Sequence, residues 1–172
     1  MPTELEELRV LQSAEQFSDE VWRIVGTWEP FARDVVGKQI TRAADSIGAN
    51  IAEAYGRFHY GEKINLLYYS RGSVFETKYW LNRCRIRSLT DETTSQGMIQ
   101  QLVDVTRQIN AFVASLKSQR KDDKSKSVRE DNAPYLTDND SSPVFTTSEI
   151  RWLSSIDPYS EPPILRSSVS SL

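Results

Sequence analysis

The stretch that decides the fold is QITRAADSIGANIAEAYGR, residues 39–57. On a helix that turns by about 100° per residue, its apolar side chains share about one third of the circumference. These side chains are Ile40, Ala43, Ala44, Ile47, Ile51, Ala54 and Tyr55. An apolar stripe of this kind is typical of a helix that packs against a protein core. The sequence therefore predicts a core-facing helix over this stretch.

A second, narrower arc on the same helix is polar. Its members are Arg42, Ser46, Asn50, Glu53 and Arg57, at spacings of four, four, three and four. Small residues lie between the two arcs, and small side chains let another helix approach closely. These are Ala43, Ala44, Gly48, Ala49 and Ala52. We expect this helix to be enclosed on more than one side and to form part of a multi-chain assembly.

The same segment carries a family resemblance. The motif RAADSIGANIAEAYGR (42–57), followed by Leu67 and SRGSVFE (70–76), resembles bacterial four-helix-bundle proteins first noticed in intervening sequences of large-subunit ribosomal RNA genes. A distant relative is the accessory variability protein of diversity-generating retroelements. The chain departs from the family pattern at Ala54, where glycine is usual, and at Ser70, where alanine is usual. The resemblance covers about the first two thirds of the chain and implies a ring-shaped homopentamer.

Four long helices are predicted from periodicity and from helix-breaking residues. The first covers about 5–28 and ends before Pro30, because proline disfavours helical geometry in the residue before it. The second starts between residues 31 and 34 and ends near Gly56, the third covers about 60–87, and the fourth follows a cap at Thr90 or Asp91 and ends near 117. Short connections between such helices predict an all-α, antiparallel up-down-up-down four-helix bundle over residues 1–118.

The remaining residues, 119–172, have a different character. They begin with a charged, polar stretch that has no large aliphatic stripe, so we predict a disordered acidic tail. A short docking helix is expected near 148–156, after a cap at Ser148. Its candidate docking residues are Ile150, Trp152, Leu153 and Ile156. Apolar residues in such a tail can dock on a partner or pack back onto their own bundle, and both alternatives stay open.

The charge and composition of the chain limit the classes of function that it can have. Among 172 residues, 21 are Lys or Arg and 24 are Asp or Glu. Positive charge is concentrated in the middle of the predicted bundle and negative charge in the tail, a mild bias that is compatible with nucleic-acid binding. No apolar stretch approaches the ~20 residues needed to cross a bilayer, and no signal peptide is evident. We expect a soluble, cytoplasmic protein.

Catalytic patterns are missing from the sequence. The single histidine, His59, falls in a predicted connection, and the single cysteine, Cys84, falls late in the third helix. Neither belongs to a metal-ligand motif, a phosphate-binding glycine loop or a zinc-type spacing. We therefore expect no enzyme activity, no metal site and no cofactor, with His59 in a loop and Cys84 as a packing residue.

The polar residues of the family motif are predicted to form a structural or assembly network, with direct ligand binding as the alternative. They are Arg42, Ser46, Asn50, Glu53, Arg71, Gly72, Ser73 and Glu76. Buried charges need partners of opposite sign, so Arg42 is expected to pair with Glu53, and Arg71 with Glu53 or Glu76. Gly72 indicates a close helix approach, because glycine inside a helix costs ~1 kcal/mol relative to alanine.

Basic residues of the predicted bundle are the candidates for nucleic-acid contact. They are Lys38, Arg57, Lys63, Lys78, Arg83, Arg85 and Arg87. A weak basic patch repeated around a ring would multiply phosphate contacts. The alternative is a solvated set of cations that pair within the protein.

Taken together, the sequence predicts a non-enzymatic, homo-oligomeric adaptor or scaffold, with the number five implied by the resemblance. Its expected partners are further copies of itself and RNA or a ribonucleoprotein such as a reverse transcriptase complex. The alternative is a protein-only hub that recruits a partner through its tail. More aromatic residues are present than one core stripe needs, and some are expected between subunits. They are Trp22, Tyr55, Phe58, Tyr68, Tyr69, Phe75, Tyr79 and Trp80.

Overall fold

Helices joined by short connections make up most of the described part of the protein. The computed structural model describes Leu5, residues 8–126 and residues 143–155. Its elements are α1 (Arg9–Gly26), α2 (Pro30–Ala32), a π-helical segment (Arg33–Gly37), α3 (Lys38–Gly56), α4 (Tyr60–Ile86), α5 (Glu92–Lys126) and α6 (Thr147–Ser154). These residues contain no β-strand, so the predicted all-α class is confirmed.

Local signals set the helix ends. Pro30 lies in the first turn of α2, where its missing N–H is no loss, and α3 ends at Gly56 as predicted. Asp91 caps α5, because its carboxylate accepts hydrogen bonds from the hydroxyl of Thr94 at 2.6 Å and from the Thr94 backbone N–H at 2.8 Å. The same two bonds hold the pKa of Asp91 below its usual value.

The core is built by all four long helices. Helix α1 packs against α3 and α5, α3 packs against α4, and α4 packs against α5. The most deeply buried apolar side chains include Phe17, Ile47, Ile51, Ile64, Leu67, Leu81, Leu102, Ile109 and Leu116. Burying a side chain of this size contributes about 1.5–3 kcal/mol. The apolar stripe predicted on residues 39–57 is therefore the contribution of α3 to this core.

The fourth helix is longer than predicted. Helix α5 continues to Lys126, so the charged stretch 119–126 is helical rather than disordered. Extending an established helix requires only one more fixed residue per hydrogen bond, and it does not need an apolar stripe of its own. Helix α6 starts close to the predicted position but is capped by Thr146 and not by Ser148. Residues 127–142 and 156–172 of the predicted tail lie outside the described residues.

Candidate interaction surfaces

The polar arc of α3 bonds mainly along its own helix. The Ser46 hydroxyl donates to the backbone oxygen of Arg42 at 2.7 Å, and the Asn50 amide donates to the backbone oxygen of Ser46 at 2.7 Å. Glu53 pairs with Arg57 at the surface and raises the pKa of that guanidinium. The predicted Arg42–Glu53 pair is therefore replaced by an Arg57–Glu53 pair, and α3 is attached to α4 by other groups.

One of those groups is Ser70, the position where the family pattern usually has alanine. Its buried hydroxyl donates to the backbone oxygen of Ile47 at 3.1 Å, across the contact between α4 and α3. A buried hydroxyl needs such an acceptor, because leaving it unsatisfied costs about 1–3 kcal/mol. The substitution is thus accommodated by a specific bond between two helices.

An open groove lies between α1 and the chain from α2 to α3. It has a volume of about 1190 Å³ and is bordered by Trp22 and Phe31, whose side chains are 68% and 81% exposed. Its remaining lining residues are Val25, Gly26, Pro30, Arg33, Asp34, Gly37, Lys38, Thr41, Arg42, Asp45, Ser46 and Ala49. We call this site the α1–α3 groove. Two large exposed aromatic residues beside one concave surface are typical of an interaction site.

The π-helical segment shapes this groove. At Gly37 an added Cβ would lie 2.6 Å from a methyl carbon of Val25 in α1, so only glycine permits this approach of the two helices. A π-helical turn widens a helix locally and often marks a functional position. Val35 of the same segment is exposed, whereas Val36 is buried. The sequence pattern predicted a continuous helix here and did not reveal the π-helical turn or the exposure of Phe31.

Helix α4 carries a second open surface, on the side that faces away from the core. At 100° per residue, the following residues share one face: Tyr69, Gly72, Glu76, Tyr79, Arg83 and Ile86. Tyr69, Tyr79 and Ile86 are exposed large side chains, and Gly72 and Glu76 are exposed as well. We call this surface the outer face of α4. A Cβ added at Gly72 would meet nothing within 4 Å, so no helix of this chain makes the close approach predicted there.

A neighbouring face of α4 is covered by residues 143–155, which we call the C-terminal segment. Arg71 pairs with Glu149 of α6, and not with Glu53 or Glu76 as predicted. The Phe75 ring stacks on Phe145 with 5.7 Å between ring centroids and on Trp152 with 5.2 Å. The guanidinium of Arg71 also lies 5.2 Å from the centroid of the Phe75 ring, within the range of a cation–π contact.

Lys78 belongs to this covered face. Its side chain is buried, its ammonium donates to the backbone oxygen of Ser155, and it lies 5.8 Å from the centroid of the Trp152 ring. The prediction that Lys78 contacts nucleic acid does not hold for this closed arrangement. We call Arg71, Phe75 and Lys78 the covered face of α4.

Helix α5 also binds the C-terminal segment. The Asn110 amide forms a reciprocal pair with Phe145, donating to its backbone oxygen at 3.1 Å and accepting from its N–H at 2.9 Å. Val144, Phe145 and Leu153 are buried, whereas Ile150 and Trp152 are partly exposed and pack against the core. Of the two alternatives left open for the tail, packing onto its own bundle is therefore observed for this segment. Ile156 lies outside the described residues.

The groove and both faces of α4 fall within a region that matches a known family. The model of the 23S rRNA-intervening sequence protein family matches residues 6–111. The chain belongs to this family. The family resemblance inferred from the motif is thereby confirmed, and no curated protein matches the chain. The C-terminal segment lies beyond the matched residues.

The other candidate cations of this family member lie on separate parts of the surface. Lys38 pairs with Asp34 at the groove, and Lys63 donates to the backbone oxygen of Tyr55 at 3.4 Å. At the end of α4, Arg85 lies 3.6 Å from Glu92, Arg87 is exposed and Arg83 is half-buried. Three arginines within five residues at the C-terminal end of a helix also suit the negative end of its dipole.

The two residues considered for catalysis, His59 and Cys84, lie in a helix connection and in the core. His59 is exposed in the connection between α3 and α4, with its ring 5.1 Å from that of Phe58. Cys84 is buried, and burial raises the pKa of its thiol to about 12. Within the described ranges, no group of three or more His, Cys, Asp or Glu residues is placed to hold a metal ion. No described helix combines the length and apolar character needed to span a bilayer.

Proposed function

We propose that the chain is a non-enzymatic, homo-oligomeric adaptor that engages RNA or a ribonucleoprotein in the cytoplasm. The observation that carries the proposal is the α1–α3 groove, with Trp22 and Phe31 largely exposed beside it. Aromatic residues that remain exposed around a concave surface favour burial against another protein, since apolar burial is worth about 25 cal/mol per Å². Ring closure into a pentamer is what the family resemblance implies.

The proposed architecture of each copy is an antiparallel up-down-up-down bundle. The long helix α4 extends about 40 Å at 1.5 Å per residue, and residues 57–59 and 87–91 are all that connect it to α3 and α5. Connections this short cannot carry the chain back along a helix, so consecutive helices run in opposite directions. This arrangement leaves α1 and α3 side by side at the groove.

Assembly is tested by measuring the molar mass of the full chain by light scattering at micromolar concentration. The expected result is a mass that is a multiple of 19.7 kDa, the mass of one chain. Replacing Trp22 and Phe31 with serine is expected to shift the protein toward single chains while circular dichroism keeps its helical signal. A well-folded wild-type chain with the mass of one copy would refute the assembly.

RNA engagement is supported by the family name and by the arginines at the end of α4. Repeating Arg83, Arg85 and Arg87 in every copy multiplies weak phosphate contacts, and each contact steepens the log–log salt dependence by roughly 0.7–0.9 units. Retention of RNA by the full chain is therefore expected to fall steeply between low and moderate salt. It should weaken when the three arginines are changed to glutamate, and the absence of retention at low salt would refute this role.

A protein-only hub is the second candidate, and the partial exposure of Ile150 and Trp152 favours it. A partner that binds the tail through Leu153 must first displace the segment from its own bundle, because Leu153 is buried there. Deleting residues 148–172 is then expected to leave the assembly intact and to remove a protein that co-purifies with the wild type. An unchanged set of co-purifying proteins would rule out this candidate.

A further inference from the structure

The outer face of α4 contains a glycine that its own chain does not use. Gly72 lies in the middle of α4, where glycine destabilises a helix relative to alanine because of its backbone freedom. The usual compensation is a close contact that a Cβ would block. At Gly72 nothing lies within 4 Å of the Cβ position, so the described residues supply no such contact and the position is open to another molecule.

Because Gly72 has no side chain, it leaves a notch on the outer face of α4 between two exposed tyrosines. Tyr69 and Tyr79 project from the same face and are exposed, with Gly72 between them along the helix. From Tyr69 to Ile86 the outer face extends about 25 Å at 1.5 Å per residue. A large aromatic side chain fits such a notch as a knob fits between ridges of a helix surface.

The α1–α3 groove supplies aromatic side chains of this kind. Trp22 and Phe31 stand beside the groove, and neither is covered by the described residues. The groove is lined by α1, α2, the π-helical segment and α3, and by no residue of α4. The two surfaces can therefore be occupied at the same time by two different neighbours.

Charges on the two surfaces are complementary. Arg33, Arg42 and Asp45 line the groove, and Glu76 and Arg83 lie on the outer face of α4. None of these five side chains forms an ion pair within the described part of the chain. Each surface thus offers charges of both signs to a partner, which favours a defined orientation of the contact.

We infer that the outer face of α4 of one copy docks into the α1–α3 groove of a second copy. Trp22 and Phe31 of one chain pack around Gly72 of the other, and Arg42 pairs with Glu76. A contact between two different surfaces is heterologous, so it propagates from copy to copy and produces a ring when the rotation closes. The inference rests on the proposed homo-oligomer and names its interface.

The first test fills the notch in the full chain. Gly72→Leu is expected to raise the dissociation constant of the assembly about tenfold or more, because the added side chain occupies the space of the aromatic knob. Gly97→Leu is the matched control, since Gly97 is also helical and exposed and its Cβ position also has nothing within 4 Å. Light scattering over a dilution series measures the mass, and circular dichroism checks that both variants keep wild-type helicity.

The second test reverses the charges. Arg42→Glu and Glu76→Arg are each expected to weaken assembly, and the chain with both changes is expected to regain it, since each copy then presents the reversed pair. An assembled wild type whose mass is unchanged by Gly72→Leu and by Arg42→Glu would overturn the interface and leave the proposed oligomer standing. A wild type that is a single chain at micromolar concentration would overturn both.

Discussion

Helix α4 has two neighbouring faces of similar composition. One is covered by the chain itself, and the other is exposed. The covered face consists of Arg71, Phe75 and Lys78, and the outer face includes Tyr69, Glu76, Tyr79 and Arg83. Both combine aromatic rings with charges. The first is closed by the C-terminal segment, which supplies Glu149, Trp152 and Phe145 as partners. The second has no such cover among the described residues.

This difference shows that residue type alone does not determine whether a surface is exposed and can bind a partner. Lys78 is a residue type that is typical of nucleic-acid contacts, yet it is fully buried. It is covered by the backbone oxygen of Ser155 and the ring of Trp152, which are 77 and 74 residues away in the chain. A cation becomes a structural group when the chain brings it an acceptor and excludes water. Glu76 on the outer face stays exposed because no described residue covers it.

The largest expected effect concerns Cys84, on the side of α4 that packs in the core. This side is the reference for the covered face and the outer face. Cys84 is buried and its thiol has a pKa of about 12, so iodoacetamide at pH 8 is expected to modify it only when the fold opens. The native chain should react at least about a thousandfold more slowly than the chain in denaturant.

The pH dependence of this cysteine has a defined sign. An unfolded cysteine ionises near pH 8.5, so between that pH and about 12 the native chain holds a proton that the unfolded chain loses. Stability attributable to Cys84 is therefore complete below about pH 8.5 and falls as the pH rises toward 12. Rapid alkylation of the native chain at pH 8 would contradict the burial of this face.

The next largest effect concerns the C-terminal segment, which closes the covered face of α4. Phe145→Ala removes a ring that is 1% exposed and stacks on Phe75, at a cost of about 3 kcal/mol. That cost falls on docking of the C-terminal segment, so the backbone amides of α6 are expected to exchange hydrogen about a hundredfold faster.

The control for this variant is Phe58→Ala, because Phe58 is highly exposed in the connection between α3 and α4. It is expected to leave the exchange of α6 unchanged. Equal exchange rates in Phe145→Ala and the wild type would mean that the segment does not depend on this contact, and the distinction between the two faces of α4 would be lost.

A smaller effect is expected at the ion pair that fixes the segment to the covered face. Arg71→Ala removes the partner of Glu149 and the guanidinium that lies over the Phe75 ring. Both side chains are partly exposed, so solvent screening limits the cost to about 1–2 kcal/mol, or a five- to thirtyfold faster exchange in α6.

The variant Arg71→Lys distinguishes the contribution of the positive charge from that of the planar guanidinium. It keeps the charge and loses the planar fork, so an intermediate rate is expected. A double-mutant cycle with Glu149→Gln measures the pair directly. A coupling energy of zero would show that the two side chains are neighbours without mutual stabilisation.

Much of the fold follows from local sequence, and the reason is visible in α3. Its apolar residues recur at helical spacing, and Ile40, Ile47 and Ile51 are all buried as that spacing predicts. Pro30 and Gly56 lie at helix ends because of their own backbone preferences, and Asp91 caps α5 by bonding Thr94, three residues further on. Signals of this kind act locally, so a single sequence is enough to interpret them.

The features that sequence reasoning missed depend on residues that are distant in the chain. Glu149 meets Arg71 across 78 positions, and Asn110 holds Phe145 across 35. Gly37 of the π-helical turn lies against Val25 of another helix, at a distance that leaves no room for a side chain. Helical periodicity contains no information on such pairings, so the sequence alone predicts Glu53 or Glu76 as the partner of Arg71 and gives no sign that Phe31 is exposed.

The smallest effect on the unfolding free energy is expected for a substitution on the outer face of α4. Tyr69→Gln changes an exposed side chain, so the unfolding free energy of the single chain is expected to change by less than about 0.5 kcal/mol. Phe75→Gln on the covered face loses two ring stacks and is expected to cost more. Urea unfolding at concentrations where only single chains are present measures both.

The two variants should have the opposite ranking in assembly. Tyr69 borders the Gly72 notch, so Tyr69→Gln is expected to weaken the oligomer while Phe75→Gln affects it less. A surface closed by its own chain contributes to folding, and a surface left open contributes to association, because apolar area is buried in the first case before the copies meet and in the second case only when they do. If Tyr69→Gln lowered the stability of the single chain as much as Phe75→Gln, the outer face would be part of the folded core.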